Sequence, residues 1–349
     1  MARVTIQNIA DHLGISKFAV SRALTGKSGV SEQTRRQVRE AADRLGYDQR
    51  RRAPQNIQAI EVIFKDRTTA NRELWIDVQD GVDSEAQRAG YAMTVRWTSD
   101  VSLVERLAAD ASGLVLIGPQ SAAIFEAVDA GPTPAVVVNH VVPPLLALDQ
   151  ISATDVEAGV YVARYLARLG HRKVVYAHGR LGYPGRIARM RGFAEAIDAI
   201  EGMEVREVAF SDDQAADDLR EAIFAMIEDG FEPTAFFCGS DGVAVTVLSE
   251  LMRMGLRIPE DVSVVGHADY SIATQISPQL TTVHMPHRQM GVAAVRLLLG
   301  RANDSPELEG LPPQRVNLVP HLVERQSSGP APSRSWRGRL RQLMTDPGE

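Results

Sequence analysis

Ile6, Ile9, Ala10 and Leu13 recur at helical spacing, Gly14 interrupts them, and Ser16 opens a second run with Val20 and Leu24 on one face. The expected product is a helix, a tight turn and a second helix. Ser31 then starts a third run, in which Val38, Ala41, Ala42 and Leu45 form an apolar stripe that stops at Gly46. Three short helices around one small core, with Ala10 and Gly14 at the crossing, form a helix-turn-helix unit. The face left outside carries Lys17, Ser21 and Arg22, as a helix that reads DNA would.

The charge distribution agrees. Residues 1–56 hold 11 Lys and Arg against 5 Asp and Glu, about +6, whereas the whole chain of 349 residues is −6. The remainder is therefore strongly acidic. A basic head supplies the electrostatic attraction to a duplex, and the acidic body stays off it.

From Ile57 onward the pattern changes. AIEVIF, AMTVRW, GLVLIG and PAVVVN read as buried strands, alternating with helices near Trp75–Ala89, Leu103–Ala109 and Ala122–Ala130. A second series follows, with HRKVVYAHG, MEVREVAF, TAFFCGS and VSVVGHAD as strands. Its helices fall near Ala158–Leu169, Arg186–Ile200, Gln214–Asp229 and Gly242–Met254. Apolar strands alternating with helices make parallel sheets covered on both faces, so two series predict two doubly wound α/β lobes. A ligand in such a body sits in the crevice outside the carboxyl ends of the strands.

Several function classes are disfavoured. There is no phosphate loop followed by Lys-Ser/Thr, no metal-spaced His/Cys set and no G-x-S-x-G elbow, so neither catalysis nor a cofactor or metal is expected. The single cysteine, Cys238, lies in an apolar strand and reads as a small buried hydrophobe. Without a charged-then-apolar leader or a membrane-length apolar run, a cytoplasmic protein with no membrane partner is expected. A solute-binding or sensor protein acting through a protein partner would share the two lobes, but it would lack the reading head.

The run AVSRALTGKSGVSEQTR resembles the LacI/GalR family of transcriptional regulators. The likeness continues through ATDVEAGVYVARYLARLGHRKVVY, RMRGFAEAI, PTAFFCGSDGVAV, LMRMGLRIPEDVSVVGHADY and LVPHLVERQSSGP. It implies a helix-turn-helix head over residues 1–48, a hinge or linker over 49–57, and a two-lobed periplasmic-binding-protein-like body over 58–326. The tail, 327–349, is expected to be flexible, because SSGPAPSRS is linker-like and the two turns that carry Trp336, Leu340, Leu343 and Met344 cannot hold a helix alone; a packing or oligomerisation role is the alternative. The implied function is that of a repressor. A homodimer would bind an approximately palindromic operator, under control of a small effector, a sugar or sugar derivative.

The resemblance assigns DNA contacts to Thr5, Ser16, Lys17, Phe18, Ser21, Arg22, Ser31 and Thr34, with Arg22 on a guanine and Phe18 on a thymine methyl. It assigns effector contacts to Trp75, Asp155, Arg189, Phe210, Ser240, His267, Asp269 and His287. Each has a plainer alternative. Asp155 could be a helix cap, Arg189 part of a solvated face shared with Arg186 and Arg191, and Phe210 a core residue. Departures matter too. Where the family commonly has Asn-Asp this chain has Ser240-Asp241, and Gly-(Phe/Tyr)-Asp-Asp is replaced by Gly266-His267-Ala268-Asp269. Ala268 removes a carboxylate that usually reaches ligand hydroxyls, so an ordinary hexose is not assumed; His267 and His287, placed by the resemblance at the same crevice, admit a more anionic effector, with a structural role as their plainer alternative.

The segment DQRRRAPQNIQ departs most. Family hinges form a short helix whose leucine wedges into the minor groove, but Pro54 biases residue 53 away from helix and Asn56 stands at the leucine position. A polar linker whose Arg50, Arg51 and Arg52 contact phosphates suits these residues better than a wedge. Replacing all three by Gln should flatten the log–log salt dependence of operator binding by about 2–3 units, each phosphate contact contributing about 0.9. Fluorescence anisotropy over a salt series measures this, and an unchanged slope places the three arginines off the backbone.

Overall fold

The computed structural model describes residues 6–24, 31–45, 58–67, 73–179, 184–211 and 214–336. The chain divides into two compact units, Met1–Gln58 and Ala59–Glu349.

The first unit holds α1 (Ile6–Leu13), α2 (Lys17–Leu24) and α3 (Glu32–Leu45). Ile9, Ala10, Val20, Ala23, Val38 and Ala41 are buried together, with Leu13 and Ile15 packed against them. Gly14 has φ +66°, a left-handed conformation that costs a residue without a Cβ little, and the Ile15 amide donates back to the Ala10 carbonyl. Ser16 Oγ accepts from the Ala19 amide at 3.1 Å and Ser31 Oγ from the Thr34 amide at 3.1 Å, so the expected caps open the second and third helices.

The second unit contains two sheets of six strands. In chain order its first part is β1 (Ala59–Phe64), α4 (Glu73–Arg88), β2 (Ala92–Trp97), α5 (Val101–Asp110), β3 (Gly113–Ile117), α6 (Ala122–Asp129), β4 (Ala135–Val138) and β5 (Asp149–Ala153). The chain then crosses at Thr154 into α7 (Asp155–Arg168), β6 (Lys173–His178), α8 (Pro184–Asp198), β7 (Glu204–Ala209) and α9 (Ala215–Glu228). Next come β8 (Ala235–Cys238), α10 (Asp241–Arg253), β9 (Ser263–Ala268), α11 (Ile272–Gln275) and β10 (Thr281–His284). It closes with α12 (His287–Ala302), β11 (Arg315–Leu318) and β12 (His321–Val323). The first sheet runs β11-β5-β4-β3-β1-β2 and is parallel throughout. The second runs β12-β10-β9-β8-β6-β7, parallel except where β12 pairs antiparallel with β10.

The lobes are not two consecutive segments. Helix α12 packs on α4 and β11 joins β5, so the chain returns to the first lobe after β10, and β12 takes it back to the second. Three crossings, at Thr154, Met285–Pro286 and Val319–Pro320, therefore join the lobes. Each lobe is also tightened by a pair of glycines at a helix crossing. A Cβ on Gly159 of α7 would overlap the Arg189 carbonyl of α8, and one on Gly192 would overlap that of Val156. Gly81 and Gly291 do the same between α4 and α12.

Residues 327–336 correct the expectation of a flexible tail. Ser327 is buried; its Oγ accepts from the Thr281 amide at 2.8 Å and donates to the Val264 carbonyl at 2.6 Å. Trp336 is 2% exposed within the apolar cluster of the second lobe, its indole N–H donating to the Pro233 carbonyl at 3.1 Å. Composition suggested a linker, but the backbone of this stretch completes open hydrogen bonds of the sheet and the tryptophan fills a core site. Residues 337–349 lie outside the described residues. Cys238 is fully buried, which pushes its thiol well up. Among the described residues no helix is long and apolar enough to cross a membrane.

Trp336→Ala should cost the body about 3–5 kcal/mol, the range for removing a buried aromatic side chain. A urea unfolding curve followed by circular dichroism reads it; an unchanged midpoint would mean that the tail merely lies on the surface.

Candidate functional site

In the head, Ser16 and Lys17 begin α2 and are both exposed. With its oxygen accepting the cap bond, the Ser16 hydroxyl keeps its own proton for an acceptor such as phosphate. Ser31 and Thr34 share a hydroxyl–hydroxyl bond of 2.8 Å at the start of α3. Thr5 and Arg50–Arg52 lie outside the described residues, as do the side chains of Phe18, Ser21 and Arg22.

In the body, a cavity of about 180 Å³ opens between the lobes at the carboxyl ends of their strands. The first lobe contributes Leu74 and Trp75 from the start of α4, Pro119 after β3, and Asn139, His140 and Val141 after β4. The second contributes Arg186 and Arg189 from α8, Gly239 and Ser240 after β8, and His267, Ala268 and Tyr270. Met285 and His287 come from the second crossing. Gly239 and Ser240 follow β8, which pairs with β6 where the strand order reverses, the expected place for a ligand.

Arg189 is the centre of the site. It is 5% exposed, donating from Nη1 to the Gly239 carbonyl at 2.6 Å and from Nη2 to Asp155 Oδ1 at 2.7 Å. Its Nε is buried without a partner. The pairing follows from the glycine crossing, which brings the first turn of α7, carrying Asp155, against α8. Asp155 is the first residue of α7 and holds the guanidinium; the capping position belongs to Thr154. Arg189 is thus not part of the exposed face that Arg191 occupies with Glu195.

His267 Nε2 is likewise buried without a hydrogen-bond partner, 3.7 Å from Asp155 Oδ1. Burial, then the charge of Arg189 and the neighbouring His287, push the His267 imidazole well below its ordinary pKa. His287 is lowered to about 4 by burial, His284 and Arg189, and its ring stacks on Tyr270 at 6.3 Å. His140, stacked on Phe125 at 5.9 Å, is lowered by burial alone. Burial raises the Tyr270 phenol to about 12. The wall therefore presents neutral imidazoles at neutral pH.

Among the other predicted residues, Trp75 is buried at the cavity wall, edge-on to Phe64. Ser240 caps α10 by accepting from the Val243 amide at 3.4 Å, and it lines the cavity as well. Two residues are not brought to the wall. Phe210 sits in the second-lobe apolar cluster with Leu219 and Phe236, which is its core alternative. Asp269 is taken by Arg325 Nη2 at 2.7 Å and His284 Nδ1 at 3.0 Å. Ala268 (φ +112°) and Asp269 (φ +58°) are consecutive left-handed residues, and this turn carries the carboxylate to those partners.

The residue that holds that turn was missed in the sequence. Asp241 is fully buried; it accepts from Thr282 Oγ1 at 2.5 Å and from the Tyr270 amide at 2.6 Å, and burial lifts it to about 6. Its only sequence signal was its place beside Ser240. Arg186, His140 and Tyr270 were not predicted as site residues either. Among the described residues no three His, Cys, Asp or Glu side chains group so as to hold a metal.

With this geometry described, comparisons with known proteins can be set beside it. Residues 5–49 match the family described as bacterial regulatory proteins, lacI family, and residues 163–328 match a periplasmic binding protein-like domain. A repressor from Vibrio atlanticus, the HTH-type transcriptional repressor PurR, is 28% identical over 336 residues, covering 93% of this chain and 98% of its own. The lac repressor dimer bound to operator and the anti-inducer ONPF superposes with a TM-score of 0.65 at 24% identity, covering 94% of this chain and 100% of its own. A complex of the transcriptional regulator CelR with cellobiose gives 0.64 at 24% identity, covering 93% and 100%.

The lowered pKa of His287 makes stability depend on acid. Unfolded, this imidazole takes up a proton as the pH falls through 6.5, whereas folded it does so only near 4. Stability present above pH 6.5 is therefore lost as the pH falls toward 4, by up to about 3 kcal/mol from this group. Urea midpoints measured from pH 7 to 4.5 should fall less steeply for His287→Gln than for the unaltered chain. Parallel curves would mean that His287 titrates alike in both states.

Proposed function

Because the chain belongs to the LacI/GalR family and is a DNA-binding transcriptional repressor with a ligand-binding domain, we propose that a small effector in the interlobe cleft sets its affinity for operator DNA. The chain is not an enzyme: the curated relatives it aligns with along nearly their whole length are repressors.

The observation that carries the reading is Arg189. A guanidinium fixed at the back of a cleft by Asp155 and the Gly239 carbonyl, with Nε left over, is preorganised for a ligand rather than for the fold. A ligand that touches Arg189 and Ser240 from one lobe and Trp75 from the other favours one interlobe arrangement over another. The three crossings are the segments about which the lobes would turn. The effector class is a sugar or sugar derivative. A relative of the same fold carries cellobiose and another ribose, and Trp75 supplies an apolar wall of the kind sugar faces stack upon.

On the DNA side, the recognition helix is α2. Ser16, Ser31 and Thr34 bond phosphates, and Lys17, Phe18, Ser21 and Arg22 read base edges, with Arg22 on guanine. One such helix offers too little specificity, so two chains on a two-fold axis read two half-sites of an approximately palindromic operator. The homodimer follows from that need. Effector occupancy is coupled to operator affinity through the separation of the two heads, and the coupling is reciprocal.

A thermal-shift screen of sugars and sugar derivatives on the full chain identifies binders. Anisotropy on an operator fragment selected from a random library then reads their effect. Arg189→Ala should abolish the effector-induced change in operator affinity; an unaltered dose-response removes Arg189 from the site.

A further inference from the structure

Side chains join the lobes as well as the three crossings. Glu73, the first residue of α4 in the first lobe, receives both donors of Ser271 in the second. The Ser271 amide donates to Oε1 at 2.6 Å and the hydroxyl to Oε2 at 3.2 Å. Ser271 stands at the capping position of α11, yet its hydroxyl makes no cap bond there and turns to the other lobe instead.

The place of this contact gives it leverage. Leu74 and Trp75, next after Glu73, form part of one wall of the cavity, and Tyr270, just before Ser271, forms part of the other. The contact therefore spans the rim of the cleft and sets the separation of its walls. Glu73 also heads an acidic face of α4, with Asp77 and Asp80 at the i+4 and i+7 positions. Asp80 accepts from Arg288, just past the second crossing, and Asp77 lies close enough to His284, just before it, to feel its charge. Burial raises the Asp77 carboxyl, the charges of Glu73 and Asp80 add to that, and His284 opposes them. Those two pairs sit beside a crossing, where the chain itself keeps the lobes together in any arrangement. Ser271 lies on none of the three crossings, so its bonds to Glu73 must break when the lobes part.

Resting on the reading that the lobes move as the cleft fills, we infer that Glu73 and Ser271 form a latch that holds the cleft shut. Glu73 is a positioning residue. It acts by fixing the balance between closed and open lobes, which sets how readily an effector enters and leaves. The carboxylate is exposed and its attraction is screened by solvent, so the shift in that balance is modest, roughly fivefold.

A thiol placed in the cleft measures the balance on the full chain without ligand. Ser240→Cys puts it on the cavity wall. A small maleimide can follow it there, but one carrying a polyethylene glycol chain is too large for a cavity of about 180 Å³ and reacts only when the lobes are apart. Adding Glu73→Ala should speed the bulky reagent roughly fivefold relative to the small one, and Glu73→Gln, which keeps an oxygen for the Ser271 amide, roughly twofold. Ser271→Ala removes the hydroxyl bond and should also speed it, but should add nothing once residue 73 is alanine. Cys238 is fully buried, so its modification in chains without the reporter marks unfolding. Equal rates with and without Glu73, the same gain from Ser271→Ala in both backgrounds, or an equal gain at Cys238 would each overturn the latch. Operator anisotropy with Glu73→Ala alone separates the latch from the broader reading. Faster trapping with unchanged operator affinity keeps the latch and sinks control of the head by the cleft, whereas changed operator affinity with unchanged trapping overturns the latch and leaves that control standing.

Discussion

The close approach of α7 and α8 is the contact on which the rest of the site depends. With Gly159 against the Arg189 carbonyl and Gly192 against that of Val156, the helices come nearer than any pair of side chains would allow. That distance lets Asp155, on the first turn of one helix, hold the guanidinium on the other. The Gly239 carbonyl takes a second N–H, and the side chain is held from both Nη atoms while Nε stays without a partner. A residue with a Cβ at either glycine would push the helices apart and leave a buried arginine without its partner, a costly state for a charge.

Around this fixed point the site is assembled from distant parts of the chain. The cavity wall draws on α4, on the loops after β3, β4 and β8, on the end of β9 and on the second crossing. Asp241 ties the Ala268–Tyr270 turn to β10, so that the left-handed pair at 268 and 269 delivers the Asp269 carboxylate into the Arg325 and His284 cluster. Burial keeps the nearby imidazoles of His267 and His287 neutral.

Much of this was legible in the chain. Turn, caps and core of the head all follow from spacing, because a helix start, a left-handed glycine and an apolar stripe are decided within a few residues. The expected strands and helices of both series correspond to elements of the structure for the same reason. Arg189, Asp155, Ser240, His267 and His287 were singled out by resemblance and the structure brings them together; Phe210 and Asp269 were singled out equally and lie elsewhere. What separates the two groups is the direction of a side chain, which depends on packing and on two unusual φ angles rather than on sequence position.

Sequence alone determined the kind of chain this is: a basic helical head, an acidic body of alternating strands and helices, and the residue types from which a cleft could be made. These are local properties of hydrophobic period, capping chemistry and charge. Only the tertiary structure decided that the chain crosses between lobes three times, that Ser327–Trp336 completes the second lobe, and that Arg189 is buried against Asp155 at the cavity. Strand β11 pairs with a partner far back in the chain, and Trp336 fills a pocket formed by residues from several elements. Such contacts form between segments that carry no record of one another in their own sequence, and they are selected only when the whole body closes around its buried surface.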